Sequence, residues 1–276
     1  MNAACLGGFK VSVVNHNSQF VQHEYGQQVH ILNDQCLNQF LIKLGQPHTE
    51  QPQLNFYVES IYETLLQTAI NLFFPKKFQK YETRMIDAHS EAIVEGDFLD
   101  SDTRVVTVNL ARAGALPSQV CYERLNYLFK PKNIRQDHVF VARKTNNNGQ
   151  VTGVDYSGSK IGGDIENKIV LFPDPMGATG GTICQAADLY KKEVKGAAQK
   201  IIALHLIVTP EYIKRIKNEC PEIIVLAARI DRGLSSARAL AAMPGAYPDE
   251  EKGLNAQQYI VPGAGGVGEL LNNSYC

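Results

Sequence analysis

The segment from Lys168 to Tyr190, Lys-Ile-Val-Leu-Phe-Pro-Asp-Pro-Met-Gly-Ala-Thr-Gly-Gly-Thr-Ile-Cys-Gln-Ala-Ala-Asp-Leu-Tyr, constrains the fold more than any other part of the chain. Ile169 to Phe172 is a short unbroken apolar run, which reads as a parallel strand covered on both faces. The run stops at a carboxylate, Asp174. A Thr179-Gly180-Gly181-Thr182 loop follows, and then a helical pattern. Gly180 and Gly181 can take positive φ and let a ligand approach the backbone. Successive N–H groups in such a turn form a concave anion site, to which the next helix adds the positive end of its dipole. Thr179 and Thr182 add hydroxyl donors, and Thr182 is also expected to cap the helix. These features fit a phosphate monoester beside a carboxylate. The simpler alternative, glycines that only make a tight turn, accounts for one glycine but not for two flanked by hydroxyls. A kinase-type phosphate loop is disfavoured because no Gly-Lys-Ser/Thr follows.

The remaining pattern alternates between the two periodicities. Val105–Leu110, Val139–Ala142, Ile201–Val208 and Ile223–Ile230 are further β-rich runs, and Pro117–Phe129, Thr182–Val194 and Pro210–Cys220 read as helices between strands. Pro210 suits a first helical position. From Phe56 to Phe74 apolar residues recur at helical spacing, and that helix should end before Pro75. The expected fold is therefore α/β: an open, mostly parallel sheet flanked by helices, with its ligand at the carboxyl ends of the strands. Arg112, Arg143 and Asp174 all fall at such ends. Residues 1–30, with one alternating piece at Phe9–Val14, are read as an N-terminal extension, and 31–276 as a single domain. Within it, 145–167 is polar and glycine-rich, with Asn146–Gly149 as its tip, as expected of a flexible arm. Residues 235–258 look like an insertion, with a turn at Met243–Pro248.

Composition excludes several functions. With 276 residues, 44% hydrophobic content and a net charge of −1, the chain is globular and offers no field for a polyanion, so nucleic acid is not an expected partner. An anionic substrate must be held locally. The six cysteines are scattered without a Cys-x-x-Cys pair, so no zinc site or disulfide framework is expected and the thiols read as reduced. With no apolar leader and no run of transmembrane length, a cytoplasmic protein without membrane contact is expected.

The stretch from Asp174 to Thr182 resembles the phosphoribosyl pyrophosphate loop of uracil phosphoribosyltransferases, Asp-Pro-Met-Leu/Ile-Ala-Thr-Gly-Gly-Ser/Thr, with Gly177 as its one departure. Val105-Val-Thr-Val-Asn-Leu-Ala-Arg-Ala-Gly114 is similar to the family's strand ending in Arg-Ala-Gly. Val139-Phe-Val-Ala-Arg-Lys144 resembles the strand before its flexible arm, and Tyr259-Ile-Val-Pro-Gly263 its base hood. The resemblance covers about residues 25 to 276, and it implies a type I phosphoribosyltransferase fold with a small hood and a flexible arm.

What the resemblance implies about chemistry is specific. Phosphoribosyl pyrophosphate would lie against Arg112, Arg143, Asp174, Pro175, Met176, Gly177, Ala178, Thr179, Gly180, Gly181 and Thr182. Arg112 and Arg143 match the pyrophosphate-binding arginines, and a guanidinium fork suits two phosphate oxygens. Asp174 would lie under the ribose and accept from its hydroxyls; Asp174 and Arg112 are the expected catalytic pair. Mg2+ would arrive with the pyrophosphate rather than in a site of the protein's own. The base would be gripped by backbone around Ile260, Gly265, Gly266 and Val267.

Here the chain departs from the family's Gly-x-Gly-Asp-Ala-Gly-Asp-Arg: Gly266 replaces the first aspartate, Glu269 the second and Leu270 the arginine. Residues 263–268 also spell Gly-x-Gly-x-x-Gly, but a dinucleotide site needs an acidic residue about twenty positions on, so a nicotinamide site carries almost no weight. Two functions follow. One is an enzyme that transfers ribose 5-phosphate to uracil or a similar pyrimidine base, forming UMP and pyrophosphate. The other is a protein of the same fold that binds phosphorylated ribosides as a regulator with weak or no catalysis. A homodimer or higher homo-oligomer is expected.

Overall fold

The apolar runs of the sequence form the middle of one eight-stranded sheet. A computed structural model describes residues 19–145 and 151–274, of which 141–145 and 151–156 are described as backbone only. The expected strand at Phe9–Val14 and the Asn146–Gly149 tip lie outside these residues. In chain order the elements are β1 (Val29–Ile31), α1 (Gln35–Leu44), α2 (Gln53–Phe73), β2 (Lys76–Glu82), β3 (Ile93–Leu99) and β4 (Val105–Ala111). Then come α3 (Ala115–Leu128), β5 (Ile134–Thr145), β6 (Val151–Lys160), β7 (Ile169–Pro173), β8 (Met176–Gly177) and α4 (Gly181–Glu193). The chain continues through β9 (Lys200–Val208), α5 (Pro210–Glu219), β10 (Ile223–Ile230), α6 (Ala237–Ala241) and α7 (Val267–Asn272).

The strand order is β1-β10-β9-β7-β4-β5-β6, with β8 beside β9. Every neighbouring pair is parallel except β5 with β6. Alternation along the strands divides the core. Val105, Ile169, Leu171, Ile202 and Leu204 face α1, α2 and α3 in one cluster. Val106, Val170, Phe172, Ile201 and Ala203 face α4 and α5 in the other. All of β7 is buried, which is why its sequence shows no polar residue at all. Each fully buried Val, Leu, Ile or Phe contributes roughly 1.5–3 kcal/mol.

The α2 stripe Val58, Ile61, Tyr62, Leu65, Leu66 and Ala69 is buried, as its spacing predicts. α5 starts with Pro210 in its first turn, behind Thr209, whose hydroxyl accepts from the Tyr212 N–H at 3.0 Å. The chain leaves β4 toward β5 on one side of the sheet. It leaves β7 toward β9 and β10 on the other. The reversal falls between β4 and β7, where an open α/β sheet leaves a crevice at its carboxyl edge.

Three segments differ from the sequence reading. The expected N-terminal extension contributes to the sheet at its end, since Val29 and His30 pair with Val225 and Leu226. Much of the expected arm is an antiparallel hairpin, β5 with β6, so β5 runs to Thr145 and Arg143 lies within it rather than at its end. The buried Asp137 anchors its base, accepting from Arg135 Nε at 2.9 Å, Arg135 Nη2 at 3.0 Å, Tyr190 Oη at 2.7 Å and Gly162 N at 2.9 Å. The β2–β3 hairpin was not legible: its Lys-Lys-Phe-Gln-Lys-Tyr-Glu strand is exposed along most of its length, so no core face orders its pattern. No helix among the described residues is long and apolar enough to cross a membrane.

Residues 235–258 are ordered by a buried ion pair. Glu251 Oε1 accepts from Arg232 Nη1 at 2.8 Å and from Gly245 N at 2.8 Å, while Oε2 accepts from Tyr25 Oη at 2.6 Å. Arg232 also donates to the carbonyls of Ala239 at 2.6 Å and Ala242 at 2.7 Å. The expected turn at Met243–Pro248 is present, closed by Ala246 N to Met243 O at 3.1 Å. Removing one member of such a pair leaves an uncompensated charge in the interior. Glu251→Ala should therefore lower stability by about 3–5 kcal/mol in chemical denaturation. Glu95→Ala, which breaks the exposed Lys80–Glu95 pair, should cost less than about 1 kcal/mol.

Candidate active site

The loop after β7 is fastened, peptide by peptide, to the neighbouring strand. Asp174 stands between Pro173 and Pro175, and Pro175 biases its backbone away from the helical region. Its N–H donates to Leu204 O at 3.1 Å, and its carbonyl accepts from His205 Nδ1 at 2.6 Å. The Pro175 carbonyl accepts from Leu206 N at 3.0 Å and Ile207 N at 3.2 Å, and Gly177 O from Thr209 N at 3.1 Å. Thr209 Oγ1 donates to Ala178 O at 2.7 Å. Only Asp174, Met176 and Thr179 keep partial exposure between residues 171 and 180.

Gly177, the departure from the family's loop, has a local cause. A Cβ there would come within 2.8 Å of Val208 Cγ1 and 3.2 Å of the Tyr212 ring. Tyr212 fills the volume that Leu or Ile would need. Its hydroxyl donates to His205 Nε2 at 2.6 Å, so His205 carries its proton on Nδ1, toward the Asp174 carbonyl. Burial pushes the His205 pKa down from 6.5 to about 4, which keeps the ring neutral.

Gly180 has φ +78°, the left-handed conformation that glycine adopts without penalty, and it caps α4 with no side-chain bond. This corrects the expectation for Thr182, which sits one residue inside the helix rather than at its cap. The first N–H groups of α4 thus face the loop, next to the Thr179 hydroxyl, which accepts from Gly181 N at 3.4 Å. The stem of Arg215 from α5 covers the other side of Gly180, at 3.3 Å from where a Cβ would stand. Its guanidinium is paired with Glu219 at 3.0 Å.

Arg112 follows β4 across a cis peptide bond from Ala111. Its turn touches both other parts of the site. At Gly114 a Cβ would come within 3.0 Å of the Pro173 carbonyl, and at Gly268 in α7 within 3.2 Å of Ala113 Cβ. Arg112 is exposed, and its Nη1 donates to Ser274 Oγ at 2.5 Å. The β4 turn, the end of β7 and the hood helix therefore meet. The side chain of Arg143 lies outside the described residues.

The hood is clamped from below. Asp231, just past β10, accepts from Arg229 Nε at 2.6 Å and Nη2 at 2.8 Å, and from Gly263 N at 2.7 Å. The Ile260 and Val267 side chains are buried, so only their backbone could meet a ligand there. Gly265 is exposed and Gly266 partly so. Gly266 has φ −81°, which any residue adopts, yet a side chain there would collide with the Glu269 carboxylate folded back over it. That carboxylate ends a flexible side chain, so a residue larger than glycine at 266 would have to swing Glu269 aside. Among the described residues no group of three or more His, Cys, Asp or Glu side chains is placed to hold a metal ion.

Sequence reasoning missed His205, Tyr212 and Thr209. Each lies in an unremarkable apolar run or helix start, and their link to the loop depends on the β7–β9 register.

A parallel sheet whose central strand ends in an acid and enters a glycine loop at the switch point is the architecture of a type I phosphoribosyltransferase. The family model described as uracil phosphoribosyltransferase matches residues 31–246, and the chain belongs to that family. A uracil phosphoribosyltransferase of Thermosipho africanus is 28% identical over 195 residues, covering 68% of this chain and 77% of that protein. One of Thermoanaerobacter sp. is 33% identical over 112 residues, so that the matched segment spans 41% of this chain and 42% of that relative's length. The solved AQ2163 protein of Aquifex aeolicus shares the fold, with a TM-score of 0.66 at 19% identity over 88% of this chain and 97% of that one.

The family's larger residue should not fit this loop. Gly177→Leu inserts a side chain against Val208 and Tyr212, and overpacking of this kind costs typically about 1–3 kcal/mol. Thermal denaturation should show that loss, and the combined Gly177→Leu, Tyr212→Ala variant should lose less than the sum of the two single losses.

Proposed function

We propose that the protein transfers the 5-phosphoribosyl group from phosphoribosyl pyrophosphate to uracil or a similar pyrimidine base. The C1–O bond to pyrophosphate breaks, a C1–N bond to the base forms, and the base nitrogen releases its proton to solvent. The observation that carries this reading is the loop itself: Asp174 at the end of β7, then Gly180 in the left-handed conformation at the start of α4, beside the Arg112 turn. In this reading the backbone from Ala178 to Thr182 holds the 5-phosphate, and Asp174 accepts from the ribose diol and steadies positive charge at C1. Arg112 and Arg143 hold the pyrophosphate, which enters as its Mg2+ complex. The base lies on the backbone of Ile260 and Gly265 to Val267. Membership of the family supports phosphoribosyl transfer as the reaction class. We further propose a cytoplasmic location and a homo-oligomer.

The direct test is pyrophosphate release and UMP formation from purified protein, phosphoribosyl pyrophosphate, Mg2+ and uracil, followed by other pyrimidine-like bases. Tight phosphoribosyl pyrophosphate binding without turnover of any base would favour the regulator. Absence of binding would overturn both. A charge-assisted hydrogen bond contributes roughly 1.5–3 kcal/mol, about one to two orders of magnitude in affinity. Arg112→Ala should weaken phosphoribosyl pyrophosphate by that factor in calorimetry while changing ribose 5-phosphate much less. Equal losses would mean that Arg112 does not face the pyrophosphate.

The hood gives a second expectation. A site built around a polar contact discriminates poorly when that contact is altered. Uracil turnover should therefore fall below the roughly 10 per second of a typical enzyme. Gly266→Asp alone would drive two carboxylates together and should lower activity further. Gly266→Asp with Glu269→Ala has room for the new side chain and should raise uracil transfer above that of the unmodified protein. No gain in the double variant would remove the carboxylate at 266 from the account.

A further inference from the structure

We propose that His205 and Tyr212 are positioning residues for Asp174: a buried, proton-ordered pair under the loop that fixes the peptide carrying the ribose-facing carboxylate. The inference rests on the site reading above, in which Asp174 accepts from the ribose hydroxyls. Both peptide groups of Asp174 are committed to one stretch of β9, the N–H to Leu204 O at 3.1 Å and the carbonyl to His205 Nδ1 at 2.6 Å. Leu204 O also accepts from Tyr62 Oη at 3.0 Å, so the receiving strand is itself held from α2. Pro175 further restricts the backbone at Asp174, and the two bonds set the direction in which its Cα–Cβ bond leaves the loop.

The direction of the proton chain is forced. A carbonyl only accepts, so His205 Nδ1 is the donor. Its Nε2 then has a lone pair to fill, and Tyr212 Oη fills it at 2.6 Å. The rings of His205 and Tyr212 meet edge to face at 4.7 Å between centroids. Both residues are fully buried, where an unpaired Nε2 would be costly. Without the Tyr212 hydroxyl, the imidazole loses the bond that holds its ring plane and tautomer. The Asp174 carbonyl then loses its fixed donor. Tyr212 occupies the space opened by Gly177, so the short loop residue and the wedge that replaces its side chain belong to the same device.

The test uses Tyr212→Phe, which keeps the ring and removes only the hydroxyl. Calorimetry would compare ribose 5-phosphate, 2-deoxyribose 5-phosphate and inorganic phosphate on the full chain. The unmodified protein should prefer the ribose over the deoxyribose ligand, because the diol meets Asp174. In Tyr212→Phe that preference should shrink about tenfold, the order expected for one buried hydrogen bond, while inorganic phosphate binds as before. His205→Asn, whose amide N–H can stand near the place of Nδ1–H, should keep more of the preference than His205→Ala. This comparison holds even where Tyr212→Phe folds poorly.

An unchanged ribose-over-deoxyribose preference in folded Tyr212→Phe overturns the inference. So does an equal loss for all ligands, inorganic phosphate included, which would mark the pair as general packing. If the unmodified protein binds ribose 5-phosphate without any preference over the deoxy sugar, the role of Asp174 fails first, and the inference falls with it.

Discussion

The parallel register of β7 between β4 and β9 is the constraint on which the rest of the structure depends. It places Asp174 beside Leu204 and His205, and the Arg112 turn against Pro173. A strand buried on both faces has no polar side chain with which to bind anything, so function is pushed to its carboxyl end. There the chain must leave the sheet and find new partners for its peptide groups. The loop solves this by pairing residues 174–178 with β9 and α5. It thereby becomes rigid while only Asp174, Met176 and Thr179 keep partial exposure. Such a loop delivers the chain to α4, whose first N–H groups have no partner within the helix.

Around that loop, three buried carboxylates act at successive edges of the domain. Asp137 ties Arg135, Tyr190 and Gly162 at the base of the β5–β6 hairpin, Asp231 ties Arg229 to Gly263 under the hood, and Glu251 ties Arg232 and Tyr25 in the 235–258 segment. Each accepts from a guanidinium, and each also accepts from a backbone N–H of an irregular segment. A buried ion pair adds little net stability compared with apolar packing, but it is directional. It therefore sets where an irregular segment lies rather than how strongly the core holds. That division of labour suits a protein whose core is two apolar layers and whose variable parts are loops.

The legible parts of this chain were those whose pattern is set by their own burial. The continuous run of β7, the stripe of α2 and the Pro210 start of α5 depend on local sequence, and they stand where the periodicity puts them. The loop motif was legible as well, because its glycines and threonines are read against backbone geometry. Thr182 was misread because a threonine after two glycines satisfies the capping preference, whereas Gly180 had already turned the chain into the helix. The β2–β3 hairpin had no core face to show. The link from Asp174 through His205 to Tyr212 joins residues whose meeting depends on tertiary register, and no spacing rule announces it.

The two departures from the family's motifs look alike on the page of the sequence, since each is a glycine where a larger residue is usual. They differ physically. Gly177 lies in a filled interior, where Val208 and Tyr212 have taken the missing volume, so the loop's shape is preserved by compensation behind it. Gly266 lies at the partly exposed hood, where the Glu269 carboxylate has moved over the vacated position. A compensation made of carbon restores packing and leaves chemistry alone. One made of a relocated carboxylate changes where negative charge meets whatever lies under the hood. The change at Gly177 thus leaves the loop's chemistry as it was, whereas the change at Gly266 moves a carboxylate.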